Sequence, residues 1–180
     1  MASPGFPAFP HLVLGGARSG KSTYAEGVVA SLTPPYVYVA TARIWDEEMR
    51  LRVQAHRQRR GVQWEVRETP LDLTGVLRDL QGKGRPVLVD CLTLWLTNVL
   101  MQDRGPEPEK LVESLCEMLR AVDYPLVLVS NEVGAGIVPE NALARRFRDL
   151  SGWTNQRVAA VCPRVTCVMA GLPLSLKDAP

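Results

Sequence analysis

HLVLGGARSGKS, residues His11 to Ser22, is a short apolar run that ends in glycines, closes on Gly-Lys-Ser and leads into a helical pattern. Gly15, Gly20, Lys21 and Ser22 fill the spacing GxxxxGK[ST] directly after a strand-like segment and at the start of a helix-like one. That is the setting in which the pattern reads as a phosphate-binding P-loop. A polyphosphate carries several negative charges and needs N–H groups that converge on it. Glycines let the backbone curl that closely, and a helix N-terminus adds positive potential. On this reading Gly15, Gly16, Ala17, Arg18, Ser19, Gly20, Lys21 and Ser22 contact a nucleotide, with Lys21 meeting the outer phosphates and Ser22 placed to coordinate Mg2+. The competing reading of the glycines is an ordinary strand-to-helix turn.

Outward from this stretch, short apolar runs alternate with longer segments of helical period, and Gly or Pro marks many of the joins. The runs HLVLG, YVYVA, PVLVD, PLVLVS and RVTCVMA, ending at Gly15, Ala40, Asp90, Ser130 and Ala170, are near-continuously apolar, as parallel strands buried on both faces require. Helices are expected at 21–32, 46–59, 71–81, 92–101, 108–121 and 140–161, the last with a break allowed at Gly152. The expected fold is α/β and P-loop NTPase-like, a mostly parallel sheet flanked by helices in a RecA-like arrangement. Residues 1–10, rich in Pro and Gly, are expected to be a flexible tail before a single domain over 11–180, and QGKGRP, 81–86, an exposed loop.

Composition narrows the function classes. Lys plus Arg number 21 against 19 for Asp plus Glu, a net charge of +2, so anion recognition should be local rather than spread over a basic face. Four Trp, four Tyr and three Phe leave few rings for base stacking, which argues against a nucleic-acid-associated NTPase. No apolar run is long enough to span a membrane, and the first ten residues lack the charged start and apolar stretch of a secretion signal, so a cytoplasmic protein is expected. Cys91, Cys116, Cys162 and Cys167 form no CxxC pair and read as buried, reduced thiols.

Two further positions carry chemistry. Asp90 closes the run PVLVD and suits a carboxylate near the metal, usually through water; its alternative is a helix N-cap. RVQAHRQRR, Arg52 to Arg60, sets His56 among arginines at the end of a helical segment whose acids come first. Met49, Val53 and His56 share one helix face. A neutral imidazole can attack phosphorus while guanidiniums neutralise the attacked phosphate. From spacing alone a solvated basic helix end and a grip on a nucleic-acid backbone stay open as well.

The chain resembles the bifunctional adenosylcobinamide kinase and adenosylcobinamide-phosphate guanylyltransferase family of cobalamin biosynthesis. The resemblance rests on GGARSGKS at Gly15–Ser22, YVATARIWDEEMRLRVQAHRQRR at Tyr38–Arg60, Trp64 with ETP at Glu68–Pro70, VLVDCLTLWLTN at Val87–Asn98, and VSNEVGAGIVPENALARRFRDLSGWTNQRVA at Val129–Ala159. It implies two reactions on one arm of a corrinoid. ATP or GTP first phosphorylates adenosylcobinamide, with Lys21 and Mg2+ at the phosphoryl group. His56 then takes GMP from GTP and passes it to the phosphate, giving adenosylcobinamide-GDP. Where some relatives carry two adjacent histidines, Ala55 stands before His56. The resemblance further assigns Thr41, Ala42 and Arg43 to a nucleotide-contacting turn and lines the guanylylation nucleotide with Arg57, Gln58, Arg59, Arg60 and Glu68. Glu68 is a candidate for reading guanine, or else a surface acid. Asn131, Glu132, Arg145 and Arg148 are left between substrate and a neighbouring subunit, with a solvated helix face as the alternative for Arg145, Arg146 and Arg148. A homo-oligomer, a trimer in particular, is implied, with no nucleic-acid partner. The alternative activity is a small-molecule P-loop kinase without guanylyl transfer.

Overall fold

The structure is a computed structural model that describes residues 9–43 and 61–178. Among these residues seven strands form one sheet: β1 (His11–Gly15), β2 (Tyr36–Ala40), β3 (Trp64–Glu68), β4 (Val87–Asp90), β5 (Leu126–Asn131), β6 (Arg164–Met169) and β7 (Leu172–Asp178). Their order is β3-β2-β4-β5-β1-β6-β7, parallel throughout except for the antiparallel pair β6–β7. The helices described are α1 (Lys21–Ala30), α2 (Leu73–Asp79), α3 (Leu92–Leu100), α4 (Pro108–Arg120) and α5 (Ala142–Val161). The helix expected at 46–59 lies outside the described residues.

The five apolar runs form strands because both faces of the sheet are covered. Leu12, Val89, Leu126 and Leu128 pack with Trp95, Leu115 and Val158 of α3, α4 and α5, whereas Val13, Leu88, Val127 and Val129 pack with Ala25 and Val29 of α1. Arg157 Nε and Nη2 each donate to a Glu113 carboxylate oxygen at 2.8 Å and tie α5 to α4. α2 starts two residues later than its apolar pattern because the Asp72 side chain accepts the Gly75 N–H at 3.0 Å and caps it. α5 begins where Asn141 accepts the Ala144 N–H at 3.0 Å and runs unbroken through Gly152.

Two strands were absent from the sequence expectation, and both lie at sheet edges. β3, WEVRE, is mostly exposed; Arg67 and Arg85 both pair with Glu65. β7, LPLSLKD, returns from β6 through Ala170 and Gly171, whose φ of 52° and 80° suit a two-residue hairpin turn.

In register, Gly15 lies beside Asn131, Ala40 beside both Asp90 and Glu68, and Asp90 beside Val129. The carboxyl ends of five strands therefore make one edge, where open parallel sheets bind ligands.

Candidate phosphate-transfer site

The loop from Gly15 to Gly20 is closed by its own glycines. A Cβ at Gly15 would stand 2.4 Å from Ser19 Oγ and 2.5 Å from the Val168 carbonyl oxygen, so no other residue fits there. Gly20 takes φ 94° at the start of α1, and the hairpin turn presses against it: the Gly171 N–H donates to the Ser19 carbonyl at 2.8 Å. Arg18, exposed at the crest, has φ 56° without being glycine. Gly16 and Ala17 are exposed, and Ser19 is buried with no hydrogen-bond partner for Oγ. Lys21 Nζ donates to the Gly16 carbonyl at 3.0 Å, so the lysine arm folds over the loop's concavity. Ser22 follows in the first turn of α1, half-buried.

Asp90 ends β4, separated from β1 by β5 alone. Asp90 Oδ2 accepts the Tyr38 hydroxyl at 3.1 Å. α3 is capped by Cys91 and its side chain makes no cap bond, so the helix-cap reading of Asp90 does not hold. Burial, with the Asp90 charge adding to it, pushes the Cys91 thiol up to about 12, which leaves it unreactive.

Thr41 is fully buried and its hydroxyl is committed within the chain: Oγ1 donates to the Cys91 carbonyl at 2.7 Å and accepts the Cys91 N–H at 2.8 Å. Asn98 Nδ2 donates to the Thr41 carbonyl at 2.7 Å. Thr41 therefore splices the end of β2 to the turn behind Asp90. Ala42 and Arg43 follow at the same edge, both half-buried. Glu68 ends β3 beside Ala40, exposed; four strand spacings of about 4.8 Å put it roughly 19 Å from β1. The candidates thus fall into two groups along one edge: Gly15 to Ser22 with Asp90, and Thr41 to Arg43 with Glu68. His56, Arg57, Gln58, Arg59 and Arg60 lie outside the described residues.

One neighbour of the site went unread in the sequence: Tyr38, a polar-tipped side chain inside the run YVYVA, whose signal was a hydroxyl two residues before a strand end.

The profile described as cobinamide kinase / cobinamide phosphate guanyltransferase matches residues 11–176. The chain belongs to that family. Among relatives of the cobinamide kinase / guanyltransferase family, the bifunctional adenosylcobalamin biosynthesis protein CobP of Pseudomonas aeruginosa is 47% identical over 169 residues, covering 94% of this chain and 98% of the relative. The bifunctional adenosylcobalamin biosynthesis protein CobU of Salmonella typhimurium is 38% identical over 181 residues, covering 92% and 98%. Among solved structures, a protein of Pyrococcus horikoshii aligns with TM-score 0.56 at 12% identity, covering 94% of this chain and 86% of its own. The type III secretion ATPase EscN of enteropathogenic E. coli aligns with TM-score 0.56 at 11% identity, covering 95% and 48%. At such identities these two share the P-loop NTPase fold and nothing further is read from them. The family's description names both a kinase and a guanyltransferase activity.

Proposed function

We propose that this chain phosphorylates the hydroxyl of adenosylcobinamide with ATP or GTP and then transfers GMP from GTP to the product through His56, giving adenosylcobinamide-GDP. The observation that carries the kinase half is the glycine-closed loop from Gly15 to Ser22, with Lys21 folded over its concavity and Asp90 on the next strand but one. With a nucleotide bound, loop N–H groups and the Lys21 ammonium would meet the negative charge that grows on the transferred phosphoryl group. Ser22 and Asp90 offer a hydroxyl and a carboxylate, the hard oxygen donors that Mg2+ prefers, with Tyr38 orienting the carboxylate. When bound there, Mg2+ would screen the triphosphate; the remaining donors would be phosphate oxygens and water.

In the guanylyl step a ring nitrogen of His56 attacks the α-phosphorus of GTP. An N–P bond forms as the bond from that phosphorus to its bridging oxygen breaks, and pyrophosphate departs with the electron pair. A phosphate oxygen of the corrinoid then attacks the same phosphorus and releases the imidazole. Arg57, Gln58, Arg59 and Arg60 would hold the nucleotide, Glu68 would read the guanine N1–H and amino group, and Thr41, Ala42 and Arg43 would line the nucleotide turn. Incubation with GTP labelled at the α-phosphate tests this. Wild type should retain an acid-labile, alkali-stable label that His56→Ala lacks. Label surviving in His56→Ala overturns the nucleophile, and no label in folded wild type leaves the kinase alone.

The chain is further proposed to act in the cytoplasm; no described helix is long and apolar enough to cross a membrane. A homo-oligomer, in the first instance a trimer, is proposed too. In support, Met169, Leu172, Leu174 and Leu176 are 71, 72, 60 and 57% exposed along β6 and β7. Light scattering that finds only monomer overturns it.

A further inference from the structure

β5 outlasts its neighbour. β4 ends at Asp90, beside Val129, while β5 continues to Asn131, so on the β4 side the Asn131 N–H and carbonyl have no strand to pair with. Two side chains take the missing strand's place. The Asn131 N–H donates to Thr93 Oγ1 at 2.7 Å, and Asn155 Nδ2 donates to the Asn131 carbonyl at 3.0 Å. Ser130 closes the ring: its hydroxyl donates to Asn155 Oδ1 at 2.7 Å, which leaves Thr93 to donate toward Ser130 Oγ across 3.5 Å. Thr93, Ser130 and Asn155 are all buried, beneath a strand otherwise made of Leu and Val. On its other side the next residue reaches the phosphate loop, the Glu132 N–H donating to the Gly15 carbonyl at 3.0 Å.

We propose that Thr93 and Asn155 are positioning residues for phosphoryl transfer, holding the last rung of β5 so that Gly15 and Asp90 keep a fixed separation. Thr93 sits in the first turn of α3, three residues beyond Asp90, and Asn155 comes from α5; between them they lock the metal-side strand, the intervening strand and the start of the loop into one body. Without them two half-buried backbone groups lose their partners, and the strand end that donates to Gly15 is free to shift. Transfer rates respond to displacements of an ångström far more than ground-state binding does.

The proposal rests on the loop being the kinase site, so its test carries Lys21→Ala as a control. Thr93→Val, Asn155→Ala and Thr93→Ser are compared with wild type for kcat and KM of nucleotide-dependent cobinamide phosphorylation, for affinity toward a fluorescent ATP analogue, and for melting temperature. Thr93→Val and Asn155→Ala should melt cooperatively above the assay temperature. They should lose about ten- to a hundredfold in kcat with analogue affinity nearly unchanged, and Thr93→Ser should restore most of the rate. A kcat within twofold of wild type in either folded variant overturns the proposal. So does a loss confined to KM, a Thr93→Ser protein as slow as Thr93→Val, or failure of both non-conservative variants to fold, which would make the ring a stability element. If Lys21→Ala also phosphorylates at the wild-type rate, the kinase-site reading falls and takes the proposal with it; if Lys21→Ala is inactive while Thr93→Val is not, only the positioning role falls.

Discussion

The centre of the sheet and its edges meet opposite demands. β4, β5 and β1 are covered on both faces, so their bodies are apolar and, apart from His11 at the start of β1, their polar side chains stand at the carboxyl ends: Asp90 and the Ser130–Asn131 rung, beside Gly15. β3 and β7 have one strand neighbour each among the described residues and carry what the centre cannot, Glu65 and Arg67 on one and three exposed leucines on the other. The candidate phosphate-transfer residues therefore collect where buried strands stop, and the exposed apolar and charged side chains where the sheet stops.

Lys21→Ala strikes the centre's active end hardest. If Lys21 meets the outer phosphates as proposed, kcat/KM for the kinase reaction should drop by about 10²–10³. The urea midpoint should hardly move, because the Lys21–Gly16 bond is exposed. A variant that keeps its kinase rate would break the link between the central strand ends and catalysis.

Leucine truncation compares the two regions directly. Leu128→Ala in β5 empties a fully buried site and should cost about 2–5 kcal/mol of unfolding free energy. Leu174→Ala in β7, largely exposed, should stay within about 0.5 kcal/mol in dilute protein. A penalty for Leu174→Ala that grows with protein concentration would show that the leucine edge is covered by another copy.

The same contrast decides what could be read in the sequence. Runs buried on both faces announce themselves, and all five became strands within a residue or two of their expected ends. β3 and β7 mix charge, Pro and Ser into apolar patterns, because an edge tolerates such residues, and periodicity fails there. Ala170–Gly171, flanked by VM and LPL, was the one hairpin signal for β7. At the candidate site, the placing of Gly15 to Ser22 and Asp90 at strand ends along one edge was legible, because the spacing and the ends of apolar runs dictate it. The Thr93–Ser130–Asn155 ring was not, since its members come together only when α3, β5 and α5 are packed.

His11 lies at the other end of β1, away from the loop. It is buried, with Nε2 and Thr166 Oγ1 2.9 Å apart and no partner for Nδ1. Burial first, then the Arg164 charge, lowers its pKa to about 4. The unfolded chain takes up the proton near pH 6.5 and the folded chain does not until about 4, so stability should be full above pH 6.5 and decline as pH falls toward 4. Between pH 7 and 5 the loss from this group should be about 2 kcal/mol. Urea unfolding of wild type and His11→Leu at both values checks it: the variant should lose that much less.

Arg18 gives the smallest expected effect at the loop and the sharpest reading of it. Its φ of 56° strains a side chain-bearing residue, and glycine would relieve about 1 kcal/mol in the folded state. Glycine also loosens the unfolded chain by a comparable amount, so the melting temperature of Arg18→Gly should change little. Nucleotide affinity should nonetheless fall roughly tenfold, the weight of one charge-assisted hydrogen bond, as titration with the fluorescent ATP analogue would show. Stability that stays level while affinity drops means the strained arginine is kept for its charge at the crest. Affinity that stays level as well would mean that the loop's backbone binds phosphate without it.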